Sequence, residues 1–479
     1  DMFSDGMIII DEAHHLNSEK DVRLVIRVLT DVLFYSKNLR LIMLTATPMF
    51  DKASDIISLI NYMLINDKRV PIEISDIFDE FKKLKPGAEN ILKEKTRGYI
   101  SYLRGNNPIN FPVRLPISIN LPSNQLVNLK KYPKIPDNFF KTTSHKMQFL
   151  ELINCPMKKY QEEVYQKLNE LSGEGNSIAK WEQASNCVYQ SLKSAKGIPE
   201  STYASVGLKA ISTHIKGKVT RRFVDDEIGK QFINPDLANY SSKISKIIEN
   251  IKKSTQNGPV FIYTSFLDGG IVPLIIALEM VGFRPYKAHG NPYIDNKYKS
   301  SEYLGDYILK TGQPDKFTVK PKDVKKYINM GPSMTNEKKV KIFIGTEASS
   351  EGISLFGYRE VHILEPHWNL SRLEQSIGRT IRNESHLHLP VMYRNVSVYL
   401  YAATLEKDNV ETIDLYKYRI AEDKAITSGI IEKTIIKENA VDCSLNIEGN
   451  KYDKKKFPKE INMISSVGKK VKVELSDQP

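Results

Sequence analysis

The sequence predicts an α/β protein organised around doubly wound parallel sheets. Three observations carry that prediction: two short apolar runs near the start separated by a helical repeat, a second series of apolar runs beyond residue 234, and small or hydroxylated residues clustered where the runs end. Met7–Ile10 is short and apolar, as expected of a buried parallel strand. Val22, Val25, Ile26, Leu29 and Leu33 then recur at helical spacing. Residues 39–44 read as a second buried strand ending in "TATP", so the opening segment is a βαβ unit.

Residues 65–145 are Pro-rich, charged and irregular, and "MQFLELI" at 147–153 reads as one more strand. From Cys155 to about Arg222 the texture is helical and polar, which marks a helical insertion or linker over 155–233. A second α/β unit, 234–446, opens with a helix face of Ile244, Ile247, Ile248 and Ile251 and a strand at Val260–Tyr263. Residues 284–338 read as a polar insertion. "VKIFIG" and "EVHIL" supply further strands, and "SRLEQSIGRTIR" a helix. The Lys-rich tail, 447–479, is expected to be mobile.

A chain of 479 residues is too long for one core. With 41% hydrophobic and 26% charged residues it has a globular composition. The longest apolar run, at 271–283, is broken by Glu279, so no membrane span is predicted. No charged-then-apolar leader precedes Gly6, which argues against secretion. Cys155, Cys187 and Cys443 have no metal-ligand spacing and point to a reducing compartment without zinc. The net charge of +12 favours a polyanionic partner, a weak signal on its own.

Several stretches carry chemistry. "IIIDEAH" places Asp11 and Glu12 just past a strand, the end at which open α/β sheets bind ligands. One carboxylate there suits a hydrated Mg²⁺ and its neighbour an attacking water, with His14 as a relay. A helix start with acidic residues is the plainer alternative. Thr45 and Thr47 set two hydroxyls at the next strand tip, where an ordinary turn has the same residue types. In "EQSIGRTIR", Gln375, Arg379 and Arg382 stand at i, i+4 and i+7, so one helix face is expected to present an amide and two guanidiniums, with Gly378 keeping it open. Paired arginines suit the charge of a transferring phosphoryl group, although solvated basic faces are common. Ser265 in "TSFLDGGI", and Thr346, Ser349, Ser350 and Gly352 in "GTEASSEGISL", are candidates to meet nucleic-acid phosphates through strand-end turns. His362, His367, His386 and His388 form no metal set by spacing. Trp368 and Asn369 read as core and cap residues.

In order, DEAH, TAT, the "IYTSF" turn, "GTEASSEGISL" and QxxGRxxR resemble motifs II to VI of superfamily 2 helicases. "EPHWNLSRLEQSIGRTIRNESH", "SYLRGNNPINFPVR", "CPMKKYQEEVY" and "AVDCSLN" narrow the resemblance to the helicase-like ATPases of poxviruses and other large DNA viruses, over most of residues 6–446. The resemblance implies two RecA-like lobes, the first incomplete. It also implies ATP and Mg²⁺ as cofactors, Asp11 as the Mg²⁺ residue, Glu12 as the base or water-positioner, and Gln375, Arg379 and Arg382 acting on the γ-phosphate, with Arg382 as the arginine finger. Thr45 and Thr47 would couple hydrolysis to movement, and Ser265 and Thr346 would touch the nucleic-acid backbone. The implied partners are DNA ahead of RNA, and a viral RNA polymerase or transcription-factor subunit. The implied location is host cytoplasm or virion.

One departure stands out. No GxxxxGK[ST] occurs in these 479 residues; "KGKVT" at 216–220 lacks the first glycine and follows motif II. The sequence therefore reads as part of a longer chain with little ATPase activity by itself. A non-catalytic module that binds nucleic acid or polymerase is the alternative.

Overall fold

The computed structural model describes residues 2–17, 23–101, 111–135, 146–171, 178–190, 202–216, 218, 220–254, 258–286, 292–312, 328, 340–346, 353–406, 409–437 and 460–474. The chain divides into two compact units.

The first unit comprises Asp1–Gly105, His367–Glu374 and Ile420–Lys454. Strands β1 (Met7–Ile10) and β2 (Arg40–Met43) pair in parallel, Ile10 opposite Met43, and the helix Arg23–Tyr35 links them as the βαβ reading requires. One sheet face is apolar and covered: Ile8, Ile10, Leu41 and Met43 pack with Leu29, Leu33, Leu59 and Tyr62. The other face corrects the expectation of strands buried on both sides. Met7, Ile9, Ile42 and Leu44 are 41–60% exposed, and Leu24, Val25 and Val28 on the helix are also exposed. Alternating strand side chains point to opposite faces, so a run apolar throughout supplies apolar groups to both. A second cluster joins Ile56, Ile60 and Leu64 of the helix Asp55–Asn66 to Leu92, Ile431 and Ile435. The "irregular" stretch thus contributes a packed helix, Ala88–Thr96.

The second unit comprises Asn106–Pro366, Gln375–Arg419 and Lys455–Pro479. Cys155, Cys187, Tyr189, Leu208, Phe223 and Phe232 belong to the same core as the sheet. This sheet contains β3 (Val113–Leu115), β4 (Ile153–Met157), β7 (Val260–Tyr263), β8 (Phe283–Pro285), β9 (Gly305–Lys310), β10 (Val340–Gly345), β11 (Glu360–Ile363) and β12 (Asn395–Leu405). The order is β3-β12-β11-β7-β10-β9-β8, and β4 pairs with β12 off this path. All of these pairings are parallel. A short antiparallel pair, β5 (Ser212–His214) and β6 (Arg221–Phe223), lies apart.

The helix Ser242–Lys253 buries Ile244, Ile247, Ile248 and Ile251 on the core as predicted, capped by Ser241 Oγ accepting from the Ile244 N–H at 3.1 Å. The helix Val272–Val281 is apolar nearly all round and wholly buried.

Three expectations are corrected here. The strand near 150 is Ile153–Met157, later than "MQFLELI". The 284–338 "insertion" supplies β9, an inner strand. Within the tail, residues 460–474 fold as an antiparallel hairpin of β13 (Glu460–Ile464) and β14 (Lys470–Glu474). The hairpin is anchored where Arg359 donates to the Ile464 carbonyl at 2.6 Å and Asn120 donates to Ser466 Oγ at 3.2 Å.

A wholly buried ion pair ties the second unit's layers together. Lys243 Nζ donates to Asp414 Oδ2 at 2.7 Å, and the carboxylate also accepts from the Ala403 N–H and Ser185 Oγ, so three helices and β12 meet at one charge. Replacing only Lys243 by Met strands that charge. Thermal unfolding is expected to show a loss of about 3–5 kcal/mol, and an unchanged midpoint would contradict the role.

Among the described residues no helix is long and apolar enough to cross a membrane.

Candidate nucleotide and nucleic-acid site

In the first unit, β1 delivers Asp11 and Glu12 to its C-terminal end. Leu44 donates to the Ile10 carbonyl and Ala13 to the Leu44 carbonyl, both at 2.9 Å, so the two strand tips are stitched together. Asp11 Oδ1 accepts the Glu12 N–H at 2.9 Å. Glu12 is left-handed, with φ 50°, a backbone state that costs a non-glycine residue energy and recurs at functional positions. Its carboxylate is exposed, yet Oε2 lies 3.4 Å from Nδ1 of buried His14. That nitrogen is also 2.9 Å from Thr45 Oγ1 and 3.5 Å from Thr47 Oγ1, and Thr45 Oγ1 accepts the Thr47 N–H at 3.1 Å. The structure therefore brings together five residues singled out in the sequence: Asp11, Glu12, His14, Thr45 and Thr47.

This donor set suits Mg²⁺ of a particular kind. Among the described residues no group of three His, Cys, Asp or Glu could hold a metal. Asp11 is a single exposed carboxylate at a strand tip, which fits an ion that draws most of its shell from water and nucleotide phosphates.

In the second unit, exposed Ser265 and buried Thr346 stand at the C-terminal ends of the neighbouring parallel strands β7 and β10. The Ser265 N–H is not presented outward as a phosphate donor, contrary to expectation, because it donates to Glu365 Oε1. Glu365, just past β11, also accepts from Thr264 Oγ1 at 3.0 and 3.1 Å and from Asn186 Nδ2 at 3.2 Å. Burial raises the Glu365 carboxyl above the usual range, opposed by Lys243 and these donors. Gly270 is required beside this knot, since a side chain there would collide with Thr264 Oγ1. Ser349, Ser350 and Gly352 lie outside the described residues.

The arginine segment departs from the helix-face reading. The helix is Leu370–Ile377, so Gln375 is helical while Arg379 and Arg382 lie in the turn beyond. Gly378 follows the last helical residue. The chain closes by tight turns: Arg379 N–H donates to Ser376 O at 3.2 Å, and Thr380 donates to Ile377 O through N–H at 2.9 Å and Oγ1 at 2.7 Å. Arg382 is fixed through Nη1 to Ser354 Oγ at 2.8 Å, and the Leu355 N–H donates to the Arg379 carbonyl at 2.9 Å. The end of the "GTEASSEGISL" stretch and the arginine turn are thus one structure. Sequence reasoning missed Glu365, Asn186 and Ser354; the "EPHW" and "WEQASNC" peptides were the signals.

Residues 324–384 match the helicase conserved C-terminal domain. A protein of Acanthamoeba polyphaga mimivirus named as an ATP-dependent RNA helicase, L377, is 27% identical over 531 residues, covering 97% of this chain and 43% of that protein. A second mimivirus protein with the same designation, R563, is 28% identical over 93% of this chain and 68% of its own length. The chain is thus similar to helicase-type proteins of large DNA viruses. The termination factor NPH-I homolog of African swine fever virus is a further relative, 24% identical over 92% of this chain and 64% of that protein. The chain spans less than half the length of the first of these relatives. The C-terminal part of the Fun30 ATPase domain aligns with 59% of this chain and 96% of that one at 12% identity, with a TM-score of 0.35.

Proposed function

We propose that the protein is a nucleic-acid-dependent NTPase that translocates along DNA and serves viral transcription, in initiation or termination. The observation that carries this reading is the strand-tip cluster in which Glu12, His14, Thr45 and Thr47 meet beside Asp11. Asp11 would hold Mg²⁺, which when bound neutralises charge on the nucleotide phosphates. Glu12 would align and deprotonate the attacking water. His14, held by the threonine hydroxyls, keeps Glu12 oriented. Gln375, Arg379 and Arg382 would stabilise charge on the transferring phosphoryl group, with Arg382 pre-set by Ser354. Ser265 would meet the nucleic-acid backbone through its hydroxyl alone, since its N–H is taken by Glu365.

The phosphate cradle would come from a longer polypeptide. The exposed apolar face of β1 and β2 supports this, because a patch of that kind ordinarily packs against further structure. A viral polymerase or transcription-factor subunit as partner, and work in the host cytoplasm or virion, belong to the same proposal.

The test is displacement of a third strand from a DNA triplex by the protein as encoded, with ATP, set against an RNA track of equal length. ATP-dependent displacement on DNA supports the reading. Displacement on RNA alone moves the substrate to RNA. Binding without displacement or phosphate release indicates the non-catalytic module.

A further inference from the structure

The cluster around Asp11 and Glu12 continues beyond Thr47 through a side chain that no motif includes. Phe50 is 7% exposed, two residues past Pro48. On one side the His14 ring stacks on it, centroids 4.8 Å apart at 26°. The Arg372 guanidinium also lies over the Phe50 ring, 4.8 Å from its centroid. Arg372 belongs to the first turn of the helix Leu370–Ile377.

The same turn is held to the same peptide by polar contacts. Asn369 Nδ2 donates to Asp51 Oδ1 at 2.9 Å, Ser371 Oγ donates to the Met49 carbonyl at 3.3 Å, and Arg372 Nη2 lies 3.9 Å from Asp51 Oδ1. Lys424 Nζ donates to Asn369 Oδ1 at 2.8 Å, which orients the amide.

We infer that Phe50 is a positioning residue that couples the state of Glu12 and His14 to the start of the helix Leu370–Ile377, with Arg372, Asn369 and Asp51 completing the clamp. The inference rests on the hydrolytic role proposed for Glu12. A change in what Glu12 binds moves His14, because they share the Nδ1 contact. His14 cannot tilt without disturbing the ring stacked on it, and Phe50 cannot shift without changing the face presented to Arg372. Packed interiors transmit such shifts because they have little free volume. Stacking and cation–π contacts also set orientation, which a generic apolar contact would not.

Two measurements separate this inference from the function beneath it. The first needs no activity: a double-mutant cycle on the 479-residue chain, His14→Ala against Arg372→Ala, read by thermal unfolding with Phe50 present and again with Phe50→Leu. With Phe50, the double variant is expected to differ from the sum of the single shifts by about 2 °C or more; with Phe50→Leu the shifts should add. Additivity with Phe50 in place overturns the clamp.

The second uses the protein as encoded. Phe50→Leu is expected to cut stimulation of phosphate release by DNA about tenfold, with KM for ATP changed less than about twofold, and Phe50→Tyr to restore it. Unchanged stimulation in Phe50→Leu overturns the coupling role. If the cycle is non-additive but wild type shows no stimulated hydrolysis, the proposed function fails, and the coupling role with it, while the clamp stands.

Discussion

Glu12→Gln in the protein as encoded is expected to lower ATP turnover by about 10²–10⁴-fold while nucleotide binding persists. The amide keeps the size and one oxygen of the side chain but cannot take a proton from water. The left-handed backbone at Glu12 and the 3.4 Å approach of His14 hold the terminal group where it is, so the variant changes chemistry and leaves geometry. Steady-state phosphate release beside equilibrium binding of a fluorescent nucleotide makes the comparison. Turnover within a few-fold of wild type would remove Glu12 from the reaction.

The second large effect belongs to Arg382. Arg382→Ala is expected to lower kcat by about 10³-fold or more, the scale of an arginine that stabilises phosphoryl-transfer charge. Arg382→Lys should recover little, because an ammonium cannot reproduce a planar fork. Ser354→Ala should be milder, since it removes the hydroxyl that pre-sets the guanidinium and leaves the charge. Single-turnover hydrolysis distinguishes these outcomes. An Arg382→Ala protein with normal kcat and raised KM would make Arg382 a binding group.

The central strands were legible because parallel strands covered on both faces are unbroken apolar runs: VFIY in β7 and EVHI in β11 have every residue buried. Strand β9 was hidden because GDYILK is one apolar triplet in a long polar stretch. Strand β4 was misplaced because INCPM contains Pro156, which usually argues against a strand but is tolerated where few ladder bonds are needed. The hairpin at 460–474 was masked by its Lys-rich surroundings. Its alternation, Ile461 and Met463 against Val471 and Val473, and the left-handed turn at Gly468 were present in the sequence.

The site divides the same way. Motif spacing places Asp11, Glu12, His14, Thr45 and Thr47 together because consecutive parallel strands end side by side. The spacing of Arg379 and Arg382 matches the helical period, but the helix ends at Ile377, before either arginine. Phe50 and Glu365 act through tertiary contacts, to Arg372 and to Ser265, that no local pattern encodes.

The most direct test is steady-state phosphate release from ATP by the protein as encoded, with and without DNA, in wild type and Glu12→Gln. Release is expected to rise at least several-fold on adding DNA and to fall by about 10²–10⁴-fold in the variant. Release absent from wild type at saturating ATP and DNA, or equal in the two proteins, would contradict this expectation.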